Sequence, residues 1–272
     1  MWETIRGQWQ ASVTLAAFII LTIFWIFLQV IIPNEKDIHK FFGAVYGVIA
    51  LWGAIWGVGI SLKWGGIKSV MGRAILMFSL GLFAQEFGQV VLSFYDYYLH
   101  IEGSYPSLGD VGYFGSIPLY IYGIVLLAQA SGVKIALRSF TKQIQALIIP
   151  IAMLILGYSL FLKGYKFDWS NPIKVYLDFG YPLGEAIYIS IAIVTYLLSR
   201  SVLGGIMRSK ILFILFALCV QFLSDYTFLY QSSKGTWHVG QINDYMYLVA
   251  YFLMSLGLMQ LGTVVSKLKN TR

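Results

Sequence analysis

Apolar residues fall in eight long runs, near 11–32, 41–62, 73–95, 108–130, 144–163, 182–200, 210–230 and 244–265, separated by short polar stretches. Each run can cross ~30 Å of hydrocarbon at ~1.5 Å per helical residue. A backbone in that medium must satisfy its own polar groups, and the alternation of a barrel strand is absent, so each run is read as a helix. The loops between them are too short to fold separately. The pattern predicts an all-α bundle of eight transmembrane helices, forming a single integral membrane domain over 1–272. No small-residue cleavage site follows the first run, which reads as a span and not as a removed signal.

A repeat overlies this pattern. Tyr105-Pro106-Ser107-Leu108-Gly109-Asp110, with Tyr113 after it, is echoed by Tyr181-Pro182-Leu183-Gly184-Glu185 and Tyr188, and more weakly by Asp244 and Tyr247. Each copy puts a tyrosine three positions after an acid at the head of an apolar run. Spans three to eight therefore read as three parallel helical hairpins, with Asp110, Glu185 and Asp244 equivalent. Residues 169–180 read as a surface turn leading to Pro182, since proline suits a first helical turn that has no bond for its missing N–H. The 83–96 and 216–226 segments share a glutamine followed by a carboxylate.

Composition settles the class. The chain is 58% hydrophobic and 11% charged, with mean hydropathy +0.74, where a soluble domain carries about a quarter charged residues. The net charge of +7 comes from basic residues dispersed through loops, which argues for topology and against nucleic acid. Lys36, Lys40, Lys163, Lys166, Lys174 and Lys234 fall on one side and the other 13 of 19 on the opposite side. The positive-inside rule then places both termini in the cytoplasm of a multi-pass cell (inner) membrane protein. Cys219 has no second cysteine to pair with.

Candidate chemistry lies at the polar residues of these runs. Glu86, Gln89, Ser93 and Asp96 share one face of span three, bordered by Gln85. An acid at the depth of Glu86 costs ~3 kcal/mol unless paired, so it should face the bundle interior with Gln221 and Asp225 of span seven as partners. Asp110 with Tyr113, Glu185 with Tyr188 and Asp244 with Tyr247 would form the rim of an outward-facing acidic, tyrosine-lined pocket. Such a pocket suits a small cationic or amine ligand, or a proton, with tyrosine faces available for cation–π contact. The same three acids also fit helix starts, where a carboxylate meets free N–H groups and the helix dipole; Ser107 and Asp110 have capping-box spacing. The 43–59 run, rich in Gly and Ala, reads as close helix packing, and Trp52, Trp56 and the methionines as core.

His39, His100 and His238 fall in outer loops, so no haem ligands or zinc cluster is expected at depth. No mid-span lysine offers a Schiff base, and nucleophile-elbow, zincin and phosphate-loop motifs are absent. No cofactor is expected, and an enzyme is the least supported class.

With the two Tyr-Pro turns and 243–258 (NDYMYLVAYFLMSLGL) in view, roughly residues 80–262 resemble the multi-span N-terminal sensory (input) modules of bacterial GGDEF/EAL proteins and sensor kinases. The resemblance implies a sensor whose helices rearrange on binding and signal to a cytoplasmic or membrane partner. In those proteins an output domain follows the last helix; here the sequence stops at Lys267–Arg272, so a stand-alone module is expected. Two alternatives stay open: a secondary transporter or cation pathway using the same carboxylates, and a structural or assembly subunit.

Overall fold

The computed structural model describes residues 2–101, 105–133, 137–202 and 205–270; Lys134 and Arg272, counted above among the basic residues, lie outside them. Among the described residues all regular structure is helical. Eight helices are long and apolar enough to cross a membrane: α1 (Trp9–Val30), α2 (Lys36–Lys63), α3 (Val70–Leu99), α4 (Gly109–Ala130), α5 (Phe140–Leu162), α6 (Pro172–Ser199), α7 (Met207–Ser233) and α8 (Ile242–Ser266). A short helix, Trp2–Gly7, precedes them.

Local chemistry explains where they begin and end. Ser69 accepts the Gly72 N–H at 2.8 Å and caps α3. The last residues of α3, Tyr95–Leu99, wind as a π-helix that ends in left-handed His100. α2 is two segments, Lys36–Val45 and Val48–Lys63, with a turn at Tyr46 and Gly47 between them.

α6 differs from expectation. It starts at Pro172, not Pro182, because Asn171 Oδ1 accepts the Lys174 N–H at 3.1 Å and Pro172 takes the first position. The surface turn expected over 169–180 is therefore mostly helix, and Pro182 lies inside α6. His39 also departs from its expected loop: it is buried in the first segment of α2.

Helices α2, α3, α4, α6, α7 and α8 pack each against the next and close a ring, α8 returning to α2. α1 lies outside it against α8 and α2, and α5 lies outside it against α6. α8 is the most enclosed, with 83% of its most apolar stretch buried against 6% for α5. Side chains such as Ile20 and Ile23 on α1 and Leu147, Ile148 and Ile155 on α5 are exposed. The paired helices α3 with α4, α5 with α6 and α7 with α8 are neighbours, as hairpins require.

Glycines permit the closest crossings. A Cβ on Gly53 would stand 1.9 Å from Ser255 Oγ, and one on Gly57 2.2 Å from Ser79 Oγ, so the small residues of α2 do serve packing. The tightest backbone approach is α3 to α4, where a Cβ on Gly112 would lie 2.3 Å from the Ala84 carbonyl oxygen and 2.7 Å from the Gly88 nitrogen. No rotamer can relieve a clash with backbone. Gly112→Ala should destabilise the purified protein by about 1–3 kcal/mol, read as a lowered Tm. Gly115→Ala, on the same helix with nothing within 4 Å of its Cβ, should leave Tm unchanged.

Candidate functional site

A cavity of about 640 Å³ opens at the end of the bundle opposite the chain termini. It is bounded by α2, α3, α4, α6, α7 and α8 and by Phe161 at the end of α5, together with the loops before α4, α6 and α8. Its volume is that of a small-molecule site.

The floor is a network of neutral groups. Gln89 Oε1 accepts from Tyr46 at 3.0 Å and Tyr113 at 2.8 Å, while Gln89 Nε2 donates to the Gly43 carbonyl at 2.6 Å. Gln85 Oε1 accepts from Tyr251 at 3.1 Å, and Gln85 Nε2 donates to Ser116 Oγ at 2.8 Å. The Tyr46 and Tyr251 rings stack at 6.0 Å. These six side chains fix one another, and below them the bundle closes on buried Phe78, Leu82, Ile124 and Leu258.

The wall between α6 and α7 is acidic. Glu185 and Asp225 are hydrogen-bonded to each other. Gln221 Nε2 lies 3.1 and 3.2 Å from the two Asp225 oxygens, and the Tyr247 hydroxyl also bonds Asp225. Glu185 is 4% exposed, and its Oε2 is buried without a hydrogen-bond partner. Two carboxyls hydrogen-bonded to each other share a proton.

The mouth is tied together by two acids. Asp178 accepts from Tyr105 at 2.8 Å, Tyr165 at 2.6 Å and Lys174 at 2.7 Å. Burial and then the Asp178 bond raise the Tyr105 phenol above its usual range. The Asp178 bond, chiefly, pushes Tyr165 up to about 12. Both therefore remain donors near neutral pH. Asp110 Oδ1 accepts from Tyr181 at 2.7 Å, while its Oδ2 accepts the Ser107 N–H at 2.7 Å.

Eight of the expected site residues line this cavity: Gln85, Gln89, Asp110, Tyr113, Glu185, Asp225, Asp244 and Tyr247. Three do not. Glu86 is turned about 100° from Gln85 on the helix and faces α2, where a Cβ on Gly47 would stand 1.9 Å from its Oε2. It does not meet Gln221 or Asp225; the partner of Asp225 across the helices is Glu185. Gln221 stands behind Asp225 as a donor, and Tyr188 is fully buried, its hydroxyl donating to the Leu218 carbonyl.

The two readings of the repeated acids also divide. Asp110 makes one half of a capping box, its Oδ2 accepting the Ser107 N–H, while Ser107 Oγ accepts the Gly109 N–H at 3.1 Å and the Asp110 N–H goes to the Ser107 carbonyl. Asp244 lies in the first turn of α8, not at its N-cap, and its Oδ2 accepts the Gly240 N–H at 2.6 Å. Glu185 is more than three turns into α6 and caps nothing, so it is not positionally equivalent to the other two. Lys40, Lys174, Asp178, Tyr105 and Tyr165 also line the cavity. The Asn171-Pro172 helix start was the signal for Lys174 and Asp178.

Among the described residues no group of three or more His, Cys, Asp or Glu side chains could hold a metal ion. Comparison with protein-family models, curated proteins and solved structures finds no match. The class is set by the fold itself: an all-helical bundle with eight helices long and apolar enough to cross a membrane and a polar cavity at one end.

Removing Asp178 tests the construction of the mouth. Asp178→Ala leaves Tyr105, Tyr165 and Lys174 without their shared acceptor. Loss of roughly one net hydrogen bond's worth of free energy corresponds to about tenfold more frequent local opening. Amide hydrogen exchange in 163–171 should rise by that factor, with exchange in α8 unchanged.

Proposed function

We propose that this chain is a multi-pass cell-membrane protein with both termini in the cytoplasm, whose outward-facing cavity binds a small cationic or amine ligand and signals by helix rearrangement to a partner. Topology is supported by the basic residues: Arg6, Lys63, Lys68, Arg73, Arg138, Lys142, Arg208 and Lys210 lie at the terminal end. The apolar side chains exposed on α1 and α5 suit lipid.

One observation carries the ligand class. Asp96, Asp110, Asp178, Glu185, Asp225 and Asp244 line the cavity against only Lys40 and Lys174, and Lys174 is paired with Asp178. Tyrosines supply most of the remaining wall, a surface complementary to a cation.

The ring suggests how binding is transmitted. α1 and α5 both stand outside it, as the first helices of a four-helix unit used twice in parallel would. Asp110 and Asp244 each brace a backbone N–H, and Tyr113 and Tyr247, three residues on, each bond a polar residue of the preceding helix. A ligand between α1–α4 and α5–α8 touches both halves, and differential affinity for two arrangements of them shifts their populations. The sealed floor favours binding over a through-pathway, and the resemblance to sensory input modules agrees.

Detergent-purified protein should be stabilised by phenethylamine, spermidine or choline and not by phenylacetate or citrate. At a hundredfold excess over Kd the gain is about 2.7 kcal/mol, visible as a raised Tm. Stabilisation by the anions alone overturns the assignment. Reconstitution in liposomes separates the alternatives: amine binding without accumulation fits a receptor, whereas concentrative uptake moves the reading to secondary transport.

A further inference from the structure

The Glu185–Asp225 pair is chemically incomplete. Asp225 receives donors from Gln221 and Tyr247, so in its bond with Glu185 the proton comes from Glu185. Glu185 keeps a second oxygen, Oε2, that is buried with no partner, on a residue 4% exposed that lines the cavity. Tyr120 of α4, Tyr188 of α6, Tyr226 of α7 and Tyr247 and Tyr251 of α8 are the titratable side chains that sense the pair. No lysine, arginine or histidine forms an ion pair with either acid among the described residues. The cavity-lining lysines belong to the first two turns of α2 and the first turn of α6, and Lys174 is held by Asp178.

An acceptor oxygen without a donor, buried in the wall of a cavity beside a proton shared by two carboxyls, suits a group that brings several N–H donors and one positive charge. A primary ammonium does both. A quaternary ammonium brings the charge without donors and is held by tyrosine faces instead.

We propose that the Glu185–Asp225 pair is the anchor for the nitrogen of a primary ammonium ligand, which binds in exchange for the proton held between the two carboxyls. This rests on the reading of the cavity as a cation site. On binding, the Glu185 O–H bond breaks and its proton leaves through the cavity to solvent. The ammonium then donates to Glu185 and Asp225, each now a carboxylate. Charge balances, since one cation enters as one proton departs.

Calorimetry of the purified protein with phenethylamine, in two buffers of different ionisation enthalpy at pH 6.5, measures that proton directly. The amine itself stays protonated there, as amines titrate near ~10. Release of about one proton per amine bound is expected, and phenethylamine should bind at least tenfold more tightly than its N,N,N-trimethyl derivative. Glu185→Gln keeps an N–H donor toward Asp225 but has no proton to give, so its proton release should fall to zero and the preference for the primary amine should shrink. Binding of both amines with no proton exchange in the unmodified protein overturns the exchange while leaving the cation cavity standing. Unchanged release in Glu185→Gln overturns the assignment to this pair. Failure of every amine to bind removes the cavity reading beneath it.

Discussion

A carboxyl group inside an apolar bundle has to be compensated, and in this chain tyrosines, amides and backbone N–H groups supply much of that compensation. Burying a charge without partners costs several kcal/mol, so the position of each acid is dictated by what neutral donor it can reach. Asp110 and Asp244 reach backward to backbone N–H groups at the starts of α4 and α8. Asp225 takes Gln221 and Tyr247. Asp178 takes two tyrosines and Lys174. Only Glu185 is left to another acid.

That solution shapes the cavity as well as stabilising it. Tyrosine delivers a donor without a charge, and an amide can accept from two tyrosines while donating elsewhere, as Gln89 does. A floor built this way is polar, ordered and electrically neutral. The negative charge is thereby concentrated on the walls and rim, where nothing in the floor cancels it. Charge of one sign in a low-dielectric cleft raises the local concentration of the opposite ion, which ties the packing of the floor to the affinity at the wall.

Much of this was legible in the sequence, and the failures have particular causes. The eight apolar runs fall on the eight described helices long and apolar enough to cross a membrane, since helix length in hydrocarbon is a hard constraint. The acids and tyrosines of the two turns located the cavity. Glu86 was misjudged because Gln85 and Glu86 are adjacent and face α8 and α2 respectively; periodicity alone does not say which of two neighbouring polar residues points inward. Of the two readings open for Glu185, the cap depends on Pro182 as a helix start, while the place on the pocket wall is the one it takes. Asn171-Pro172 carries the same signal with a better cap residue, and the structure uses it. The pairing of Glu185 with Asp225 had no sequence signal, being a contact between helices.

Taken as halves, α1–α4 and α5–α8 treat their deepest acid in opposite ways. In the first half the acid is on α3, and Glu86 is turned into the break of α2, where Gly47 alone leaves room for its carboxyl. The Tyr46 and Tyr251 stack lies among the cavity-lining residues, and Glu86 does not. In the second half the acid is on α6, and Glu185 meets Asp225 on the cavity surface with an oxygen still unbonded. On the cation reading proposed above, a ligand entering from the mouth meets a wall without Glu86 on one side and the Glu185–Asp225 pair on the other. Such asymmetry gives a ligand differential contact with the two halves, and only differential contact can move one half against the other.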